Sequence, residues 1–193
     1  YSRSNNNQLL FEKAVAFEKA KDSAKAAELF NQMLAVDPKD FVAWTELGTV
    51  FFKSNSLDNA EACYFKAIEL KKDYFLALLN LGKLYLGRKQ GDNAVLVLSN
   101  AVKTKPESSD AHLFLGEAYL LNKKGSSAVH HFTEAIKLSP MEKAEAHLRL
   151  AALYDAAGAK NKASAEYKAF LEKQPGHPEK ARLEKYIADN PIK

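Results

Sequence analysis

A short pattern, in which a large residue is followed at fixed distances by a Leu-Gly pair and an aromatic residue, recurs along the chain with a nearly constant period. It is clearest at Trp44–Phe51, where the order is W-x2-L-G-x2-F. Weaker copies start 34 residues later at Leu78, another 34 residues later at His112 and another 35 later at His147. The copy that matches the pattern least starts upstream, at Leu10. A fixed period of about 20–50 residues is typical of repeat architectures, so we predict one continuous array without an internal domain boundary.

The apolar residues of each period recur at three- and four-residue steps, which predicts α-helices. Each period holds two such segments joined by a short turn. Proline closes most of the second segments, because it lacks an amide proton and disfavours helical geometry in the residue before it. These closing positions are Pro38, Pro106, Pro140 and Pro175, with Lys72 as the one departure. No stretch alternates with period two over a useful length, so we predict no strand; the polar residues 1–6 are expected to form a frayed start.

With these positions in place, the chain resembles a tetratricopeptide repeat (TPR) array over residues 7–177. The predicted repeats are 7–40, 41–74, 75–108, 109–143 and 144–177. The alanine of the TPR second helix and the large residue four positions later are present in all five copies. These pairs are Ala26 and Phe30, Ala60 and Tyr64, Ala94 and Leu98, Ala128 and Phe132, and Ala163 and Tyr167. The resemblance implies an all-α fold, a right-handed α-solenoid of antiparallel helix pairs known as the TPR superhelix.

The last residues, 178–193, predict one further helix from Pro178 to Asp189 and a tail. Terminal units of a solenoid need a polar outer side, so we expect this helix to cap the fifth repeat. A docking helix for a partner is the alternative. Within the repeats, small residues such as Gly48 are expected to let paired helices approach closely, and aromatic residues are expected to fill the gaps. Trp44 is predicted to be a core residue whose truncation to alanine costs about 3–5 kcal/mol.

Composition excludes several classes of protein. No apolar run reaches the ~20 residues that a membrane-spanning helix needs, so we predict no membrane span. The chain begins at Tyr1 without an apolar leader, and we expect it to be a processed or excised piece. A single cysteine, Cys63, excludes an internal disulfide and leaves the compartment open between cytoplasm and periplasm. A net charge of +4 permits an anionic partner without arguing for one.

The sequence contains no constellation of residues suited to catalysis. Its glycines are isolated rather than grouped in a phosphate-binding loop, and Cys63 has no partner cysteine. His112 and His147 occupy the slot that Trp44 holds in the second repeat, which predicts packed imidazoles. Neither these histidines nor the neighbouring pair His130–His131 has the spacing of a metal site. We therefore predict no enzyme activity, no metal and no cofactor.

The resemblance to TPR proteins implies that the first helix of each repeat lines a concave face that binds peptide segments. The predicted peptide-binding residues are Phe11, Val15, Thr45, Thr49, Phe52, Leu79, Asn80, Lys83, Leu113, Phe114, Glu117, Leu148 and Arg149. Further positions on the same face are Glu12, Glu46, Leu86, Leu120 and Ala152. Many of these residues are apolar, and large exposed apolar patches usually mark contacts. The alternative is that neighbouring helices bury part of them.

One TPR subtype grips the C-terminal carboxylate of chaperone tails with lysine, asparagine and arginine side chains, and this chain departs from that pattern. Asn80 occupies one asparagine slot. Thr45 and Thr49 replace the lysine and asparagine of the preceding repeat, while Asp110 and Phe114 replace a basic pair. Asp110 would repel a carboxylate, so we predict no binding of acidic chaperone tails. The amide of Asn80 could still hydrogen-bond a ligand backbone.

The predicted function is a protein–protein interaction scaffold that binds a peptide or helix of a partner protein. The first alternative is a homo-oligomer, with the groove or the first repeat covered by another copy. The second is an anionic partner bound by a basic rim along the turns. The rim residues are Lys19, Lys21, Lys53, Arg88, Lys89, Lys123, Lys124, Lys160 and Lys162. Nucleic acid is disfavoured, because no aromatic residues are interleaved with these cations.

Overall fold

The structure is a computed structural model that describes residues 3–140 and 142–192. Regular structure in these residues is entirely α-helical, in eleven helices without a strand. The helices are α1 (Asn5–Lys19), α2 (Ser23–Val36), α3 (Phe41–Lys53), α4 (Leu57–Leu70), α5 (Phe75–Gly87), α6 (Gly91–Thr104), α7 (Ser109–Leu121), α8 (Gly125–Leu138), α9 (Ala144–Ala156), α10 (Lys160–Lys173) and α11 (Lys180–Asp189). The first ten form five consecutive pairs, and in each pair we refer to a first and a second helix.

The helices group into two compact units, one comprising Tyr1–Thr104 and the other Lys105–Lys193. We call them unit 1 and unit 2. Unit 1 holds the pairs α1–α2, α3–α4 and α5–α6, and unit 2 holds α7–α8, α9–α10 and the single helix α11. The sequence predicted one array without an internal boundary, whereas the two units are separately compact. Each unit is described by itself below.

Short polar side chains start several of the helices. The carboxylates of Asp22 and Asp40 and the hydroxyl of Ser108 accept hydrogen bonds from the backbone N–H three residues later. These bonds satisfy donors that have no partner inside the helix. Asp40 caps α3, and its Oδ1 lies 2.9 Å from the nitrogen of Ala43.

The turn inside each helix pair contains one residue with a left-handed backbone. These residues are Lys21, Asn55, Lys89, Lys123 and Gly158, with φ of 62°, 60°, 57°, 56° and 74°. They recur at the period of the repeats, so the turn geometry is part of the repeat. The sequence predicts the turns but not this conformation, because lysine rarely adopts positive φ.

The two helices of a pair approach closely where a small residue faces a large one. A methyl group on Gly48 would lie 2.7 Å from Cε1 of Tyr64, and one on Gly116 would lie 2.7 Å from Cδ1 of Phe132. Tyr64 and Phe132 are almost fully buried. Contacts this short are forbidden to carbon atoms, so the large side chain occupies the space that glycine leaves. This is the close approach that the sequence predicted.

The N-terminal helix begins earlier than the sequence suggested. The predicted frayed segment of residues 1–6 is too long, because α1 starts at Asn5. The hydroxyl of Ser4 caps α1 by accepting a hydrogen bond from the nitrogen of Asn7 at 3.3 Å. Serine is a favoured N-cap residue, and its hydrogen bond stabilises the first turn of α1 against fraying. Tyr1 and Ser2 lie outside the described residues.

The C-terminal helix α11 packs against α10 through an apolar side. Leu183 is buried in a cluster with Tyr167 and Phe170, and Tyr186 and Ile187 pack at its edge. The hydroxyl of Tyr186 donates a hydrogen bond to Asp155 on α9. Helix α11 starts at Lys180, two residues later than predicted. Its interpretation as a cap stays a prediction.

Trp44 is half-buried rather than a core residue, and its indole N–H donates to the carbonyl of Pro38 at 2.9 Å. We therefore expect Trp44→Ala to lower the free energy of unfolding by about 2 kcal/mol, below the range expected for a fully buried tryptophan. Trp44→Phe keeps the ring contact with the core and should lose about 1 kcal/mol or less. Urea denaturation of both variants checks the prediction. A loss for Trp44→Ala as large as that of Phe30→Ala, at a fully buried position, would contradict it.

Candidate peptide-binding faces

The first helices of unit 1 present their side chains on a common face. The ammonium group of Lys53 on α3 pairs with Glu18 on α1. On the other side of α3, Nδ2 of Asn80 on α5 donates to Oγ1 of Thr49 at 3.3 Å. These two contacts join α1, α3 and α5 side by side. We call the surface that they share the unit 1 face.

The centre of the unit 1 face is polar. The hydroxyl of Thr49 donates to the carbonyl of Thr45 at 3.0 Å and accepts from Tyr64 and Asn80, each at 3.3 Å. One hydroxyl offers one donor and two acceptor positions, so Thr49 is saturated. Asn80 is not saturated, because its Oδ1 accepts no hydrogen bond from residues 3–140 or 142–192. A half-buried amide carbonyl is therefore left for a ligand.

The helices of the unit 1 face also carry partly covered apolar side chains. Phe11, Val15 and Phe52 are half-buried, and Phe11 packs edge-to-face on Phe30 with ring centroids 5.8 Å apart. Lys83 is half-buried beside them on α5. The unit 1 face thus combines partly covered apolar groups with a few polar ones, a composition common in binding sites.

Two predicted members of the face are buried and cannot contact a ligand directly. Thr45 is 1% exposed and Leu79 is 8% exposed. The hydroxyl of Thr45 is satisfied inside its own helix, since it donates to the carbonyl of Phe41 at 2.9 Å. Such a bond removes the cost of burying a polar side chain. The alternative of burial by neighbouring helices thus holds for these two residues.

Glu46 introduces an acidic group beside the unit 1 face. Its carboxylate forms no hydrogen bond or ion pair with the described part of the chain. Burial raises the pKa of this carboxyl, and the negative charge of Glu18 adds to the shift, while Lys53 and Arg3 oppose it. A half-buried carboxylate without a close partner favours a cationic ligand group nearby.

In unit 2, the first helices α7 and α9 form a second surface, the unit 2 face. Leu113 and Phe114 on α7 and Leu148 on α9 are half-buried there. Glu117 and Arg149 were predicted as separate polar positions, but Nε of Arg149 donates to Glu117 at 2.7 Å. Arg149 also pairs with Glu145 at 3.1 Å, so these three side chains form one polar cluster on the unit 2 face.

Two histidines of unit 2, His112 and His147, are packed, as their positions in the repeat predicted. His112 and His147 are buried, and Nδ1 of His147 lies 2.7 Å from the carboxylate of Glu166. Nδ1 of His112 lies 3.0 Å from Nδ1 of His131, and its Nε2 lies 3.1 Å from the carbonyl of Pro106. The sequence did not reveal the pair of His112 and His131, because they lie on different helices.

The pKa of the His131 imidazole is strongly lowered. Its ring stacks on Tyr119 with centroids 5.4 Å apart. Burial lowers the pKa of His131 to about 4, and the neighbouring His112 and His130 contribute to the shift. This imidazole is therefore neutral at physiological pH and serves as a packing group.

The described residues contain no arrangement of three or more His, Cys, Asp or Glu side chains that could hold a metal ion. Cys63 is buried, and burial raises the pKa of its thiol to about 12. A thiol that stays protonated is a poor nucleophile. No helix within 3–140 or 142–192 has the length and apolarity to cross a bilayer.

Consecutive helix pairs with a small-to-large contact inside each pair define a helical-repeat protein of the TPR class. A family model described as the Cilia and flagella-associated protein 70 middle TPR-like domain matches residues 10–173. The chain belongs to this family of TPR-like domains, which confirms the resemblance seen in the sequence. None of the curated protein sequences compared with the chain matches it.

Solved structures of TPR proteins are similar to the chain over most of its length. MamA from Desulfovibrio magneticus RS-1 superimposes with a TM-score of 0.82 at 18% identity, covering 92% of this chain and 99% of the other. PilF from Pseudomonas aeruginosa gives 0.83 at 22% identity, covering 95% and 85%. YrrB, described as a TPR protein with an unusual peptide-binding site, gives 0.77 at 18% identity, covering 91% and 90%. At these identities the likeness shows the fold alone. The predicted all-α TPR solenoid class is confirmed, and with it a fold of protein–protein interaction modules.

Proposed function

We propose that the protein is a non-enzymatic scaffold that binds a peptide or helix of a partner protein on the faces of its first helices. The observation that carries the proposal is the unit 1 face, whose three helices carry both the open carbonyl of Asn80 and half-buried apolar side chains. An amide of this kind can hold the backbone of a peptide, while Phe52 receives one of its apolar side chains. The unit 2 face, with Phe114 and Leu148, is a second surface for the same partner class.

A structural relative lends support from outside the chain. YrrB, which shares the fold, is described as having an unusual peptide-binding site. On the unit 1 face, Thr45 and Thr49 stand where a carboxylate clamp has lysine and asparagine. Neither can take over their role, because Thr45 is buried and the hydroxyl of Thr49 already has all its hydrogen bonds. We therefore propose an internal peptide segment or helix as ligand, rather than an acidic C-terminal tail.

The test is a pull-down from the source organism with immobilised wild-type protein and two variants. Asn80→Ala/Lys83→Glu changes the unit 1 face at half-buried positions. Leu96→Glu, at a residue 66% exposed on the second helix α6, is the matched control. We expect the first variant to lose at least tenfold of the captured partner and the control to lose none. Equal capture by all three proteins, each with unchanged circular dichroism and melting temperature, would disprove the proposal for this face.

The two alternative functions have less support. The basic rim is partly neutralised, because Lys53 pairs with Glu18, and Arg88 pairs with Asp58 and Glu61. An anionic partner would bind the remaining lysines with an affinity that falls steeply between 50 and 200 mM salt. Self-association would make the molar mass from light scattering depend on concentration. A constant monomer mass would remove the homo-oligomer from consideration.

A further inference from the structure

One end of the unit 1 face holds a guanidinium group in a closely fitted environment. The side chain of Arg3 is 9% exposed, although Ser4 beside it in the chain is exposed. Its Nε donates to Oδ2 of Asp40 at 2.5 Å, and its Nη2 donates to Oδ1 at 3.1 Å. The guanidinium carbon lies 3.9 Å from the centre of the Phe11 ring. The carboxylate of Glu46 is close enough to interact electrostatically with Arg3.

We call Asp40, Phe11 and Glu46 together the guanidinium pocket. It offers two parallel acceptors to the edge of a planar cation, an aromatic ring to its flat side and a second negative charge. This combination favours arginine over lysine, because an ammonium group cannot form the bidentate contact and has no flat side to lie parallel to the ring. The pocket therefore has the chemistry of an arginine-recognition site.

The pocket stays in place when Arg3 leaves. Asp40 is fully buried at the start of α3, and its Oδ1 is fixed by the hydrogen bond from Ala43. Phe11 is fixed on α1 by its contact with Phe30. Without Arg3 the carboxylate of Asp40 loses its bidentate countercharge, which is unfavourable. The empty pocket would therefore favour any guanidinium that can reach it.

Arg3 lies outside the helix that follows it. It precedes α1, whose cap is Ser4 and whose first residue is Asn5, so the helix persists when the Arg3 side chain swings away. An occupant that can depart without unfolding a helix can be exchanged for another one. Displacement of Arg3 then breaks its contacts with the pocket but leaves the cap of α1 in place.

We propose that the guanidinium pocket recognises an arginine side chain of the partner peptide, and that Arg3 occupies the pocket in its absence. This inference rests on the proposed function, because it names the chemistry of one contact on the unit 1 face. It adds to that function a competition between Arg3 and the partner's arginine for the guanidinium pocket. The apparent affinity for the partner's arginine is lowered by the fraction of molecules in which Arg3 fills the pocket.

The test uses a peptide with the protein's own residues 2–5, acetyl-Ser-Arg-Ser-Asn-amide, and a matched peptide with citrulline in place of arginine. Citrulline has nearly the same shape as arginine but carries no charge. Binding to ¹⁵N-labelled protein is followed by NMR at the amides of Phe11 and Ala43. We expect Arg3→Ala to bind the arginine peptide at least tenfold more tightly than the wild type does. We expect the citrulline peptide to bind Arg3→Ala at least tenfold more weakly than the arginine peptide does.

Two further variants test the pocket in the Arg3→Ala background. Asp40→Asn removes the charge but keeps an N-cap residue of comparable strength, and Phe11→Leu removes the aromatic ring without touching the cap. Each should lower the affinity for the arginine peptide at least fivefold. Arg182→Ala, at an exposed arginine on α11, is the control and should behave like the wild type. The arginine peptide should also raise the melting temperature of Arg3→Ala, and the citrulline peptide should not.

Equal binding of the two peptides by Arg3→Ala, or equal binding of the arginine peptide by Arg3→Ala and the wild type, would overturn the inference. Unchanged affinity in both pocket variants would overturn it as well. These failures are distinct from failure of the proposed function. If the inference alone is wrong, Asn80→Ala/Lys83→Glu still loses its partner in the pull-down. If the proposed function is wrong, that variant keeps its partner whatever the arginine peptide does.

Discussion

Gly82→Ala is expected to lower the free energy of unfolding by about 2–3 kcal/mol. Alanine usually stabilises a helix by about 1 kcal/mol relative to glycine, so helix propensity alone predicts the opposite sign. Packing reverses the sign of the stability change, because a methyl group at Gly82 on α5 would overlap the side chain of Leu98 on α6. Leu98 is fully buried, so its side chain could make room only by displacing its own neighbours. Overpacking of this kind costs more than the propensity gain.

The same helix supplies the control. Gly87 is the last residue of α5, and an added methyl group there would meet nothing within 4 Å. Gly87→Ala should therefore raise stability by up to about 1 kcal/mol. Urea denaturation of both variants gives the two values. If Gly82→Ala proved as stable as Gly87→Ala, the close approach of α5 and α6 would be disproved.

A double-mutant cycle identifies the partner. Leu98→Ala removes the side chain that a methyl group at Gly82 would overlap, and by itself should cost about 2–5 kcal/mol. Gly82→Ala should then cost much less in the Leu98→Ala background than in the wild type. A coupling energy above about 1 kcal/mol would show that the two residues share one space. Strict additivity would assign the cost of Gly82→Ala to another cause.

Acidification from pH 7 to pH 4 is expected to destabilise the fold by about 2–3 kcal/mol through His131 alone. The pKa of His131 is about 4 in the folded chain, against an ordinary value of 6.5. Between these values the unfolded chain binds a proton that the folded chain does not. Stability from this residue is therefore complete above pH 6.5, is lost as the pH falls, and reaches its lower limit below about pH 4.

Several groups face the His131 ring. On α7 these are His112 and Tyr119, and on α8 they are His130 and Glu134. Glu134 acts against the shift, since its negative charge favours the protonated ring, but burial and the two histidines outweigh it.

Because carboxylates also titrate in this range, the informative quantity is the difference between the wild type and His131→Gln. The variant should lose less stability between pH 7 and pH 4, by about 2 kcal/mol. His177→Gln, at another histidine of unit 2, should retain the wild-type slope. Equal slopes for the wild type and His131→Gln in thermal or urea unfolding would contradict the burial of a neutral imidazole.

Much of the fold could be predicted from the sequence, because the information is local. The predicted closing prolines Pro38 and Pro106 lie two residues after the last residues of α2 and α6, Val36 and Thr104. Apolar periodicity and closing prolines act within a few residues, so they can be found without knowing how the helices pack. The small residue at Gly48 and the large one at Tyr64 could likewise be assigned from the repeat.

The candidate site could be predicted less well, because it depends on distances between helices. The sequence placed Thr45 and Leu79 on a binding face, yet neighbouring elements bury both. It identified Glu117 and Arg149 as polar positions without showing that they pair. The contact of Arg3 with Asp40 joins residues 37 positions apart, and no periodic pattern includes Arg3. Such contacts follow from side-chain reach in three dimensions.

The small-to-large contact inside each helix pair has a consequence for how these sequences can diverge. The two positions are always sixteen residues apart, as in Gly48 and Tyr64, Gly82 and Leu98, and Gly116 and Phe132. Enlarging the first residue is harmful unless the second becomes smaller or shifts. We therefore expect the two positions to covary among related chains, each repeat tolerating exchange of the whole pair more readily than exchange of one member. In this fold, the two residues of each pair are therefore expected to change together.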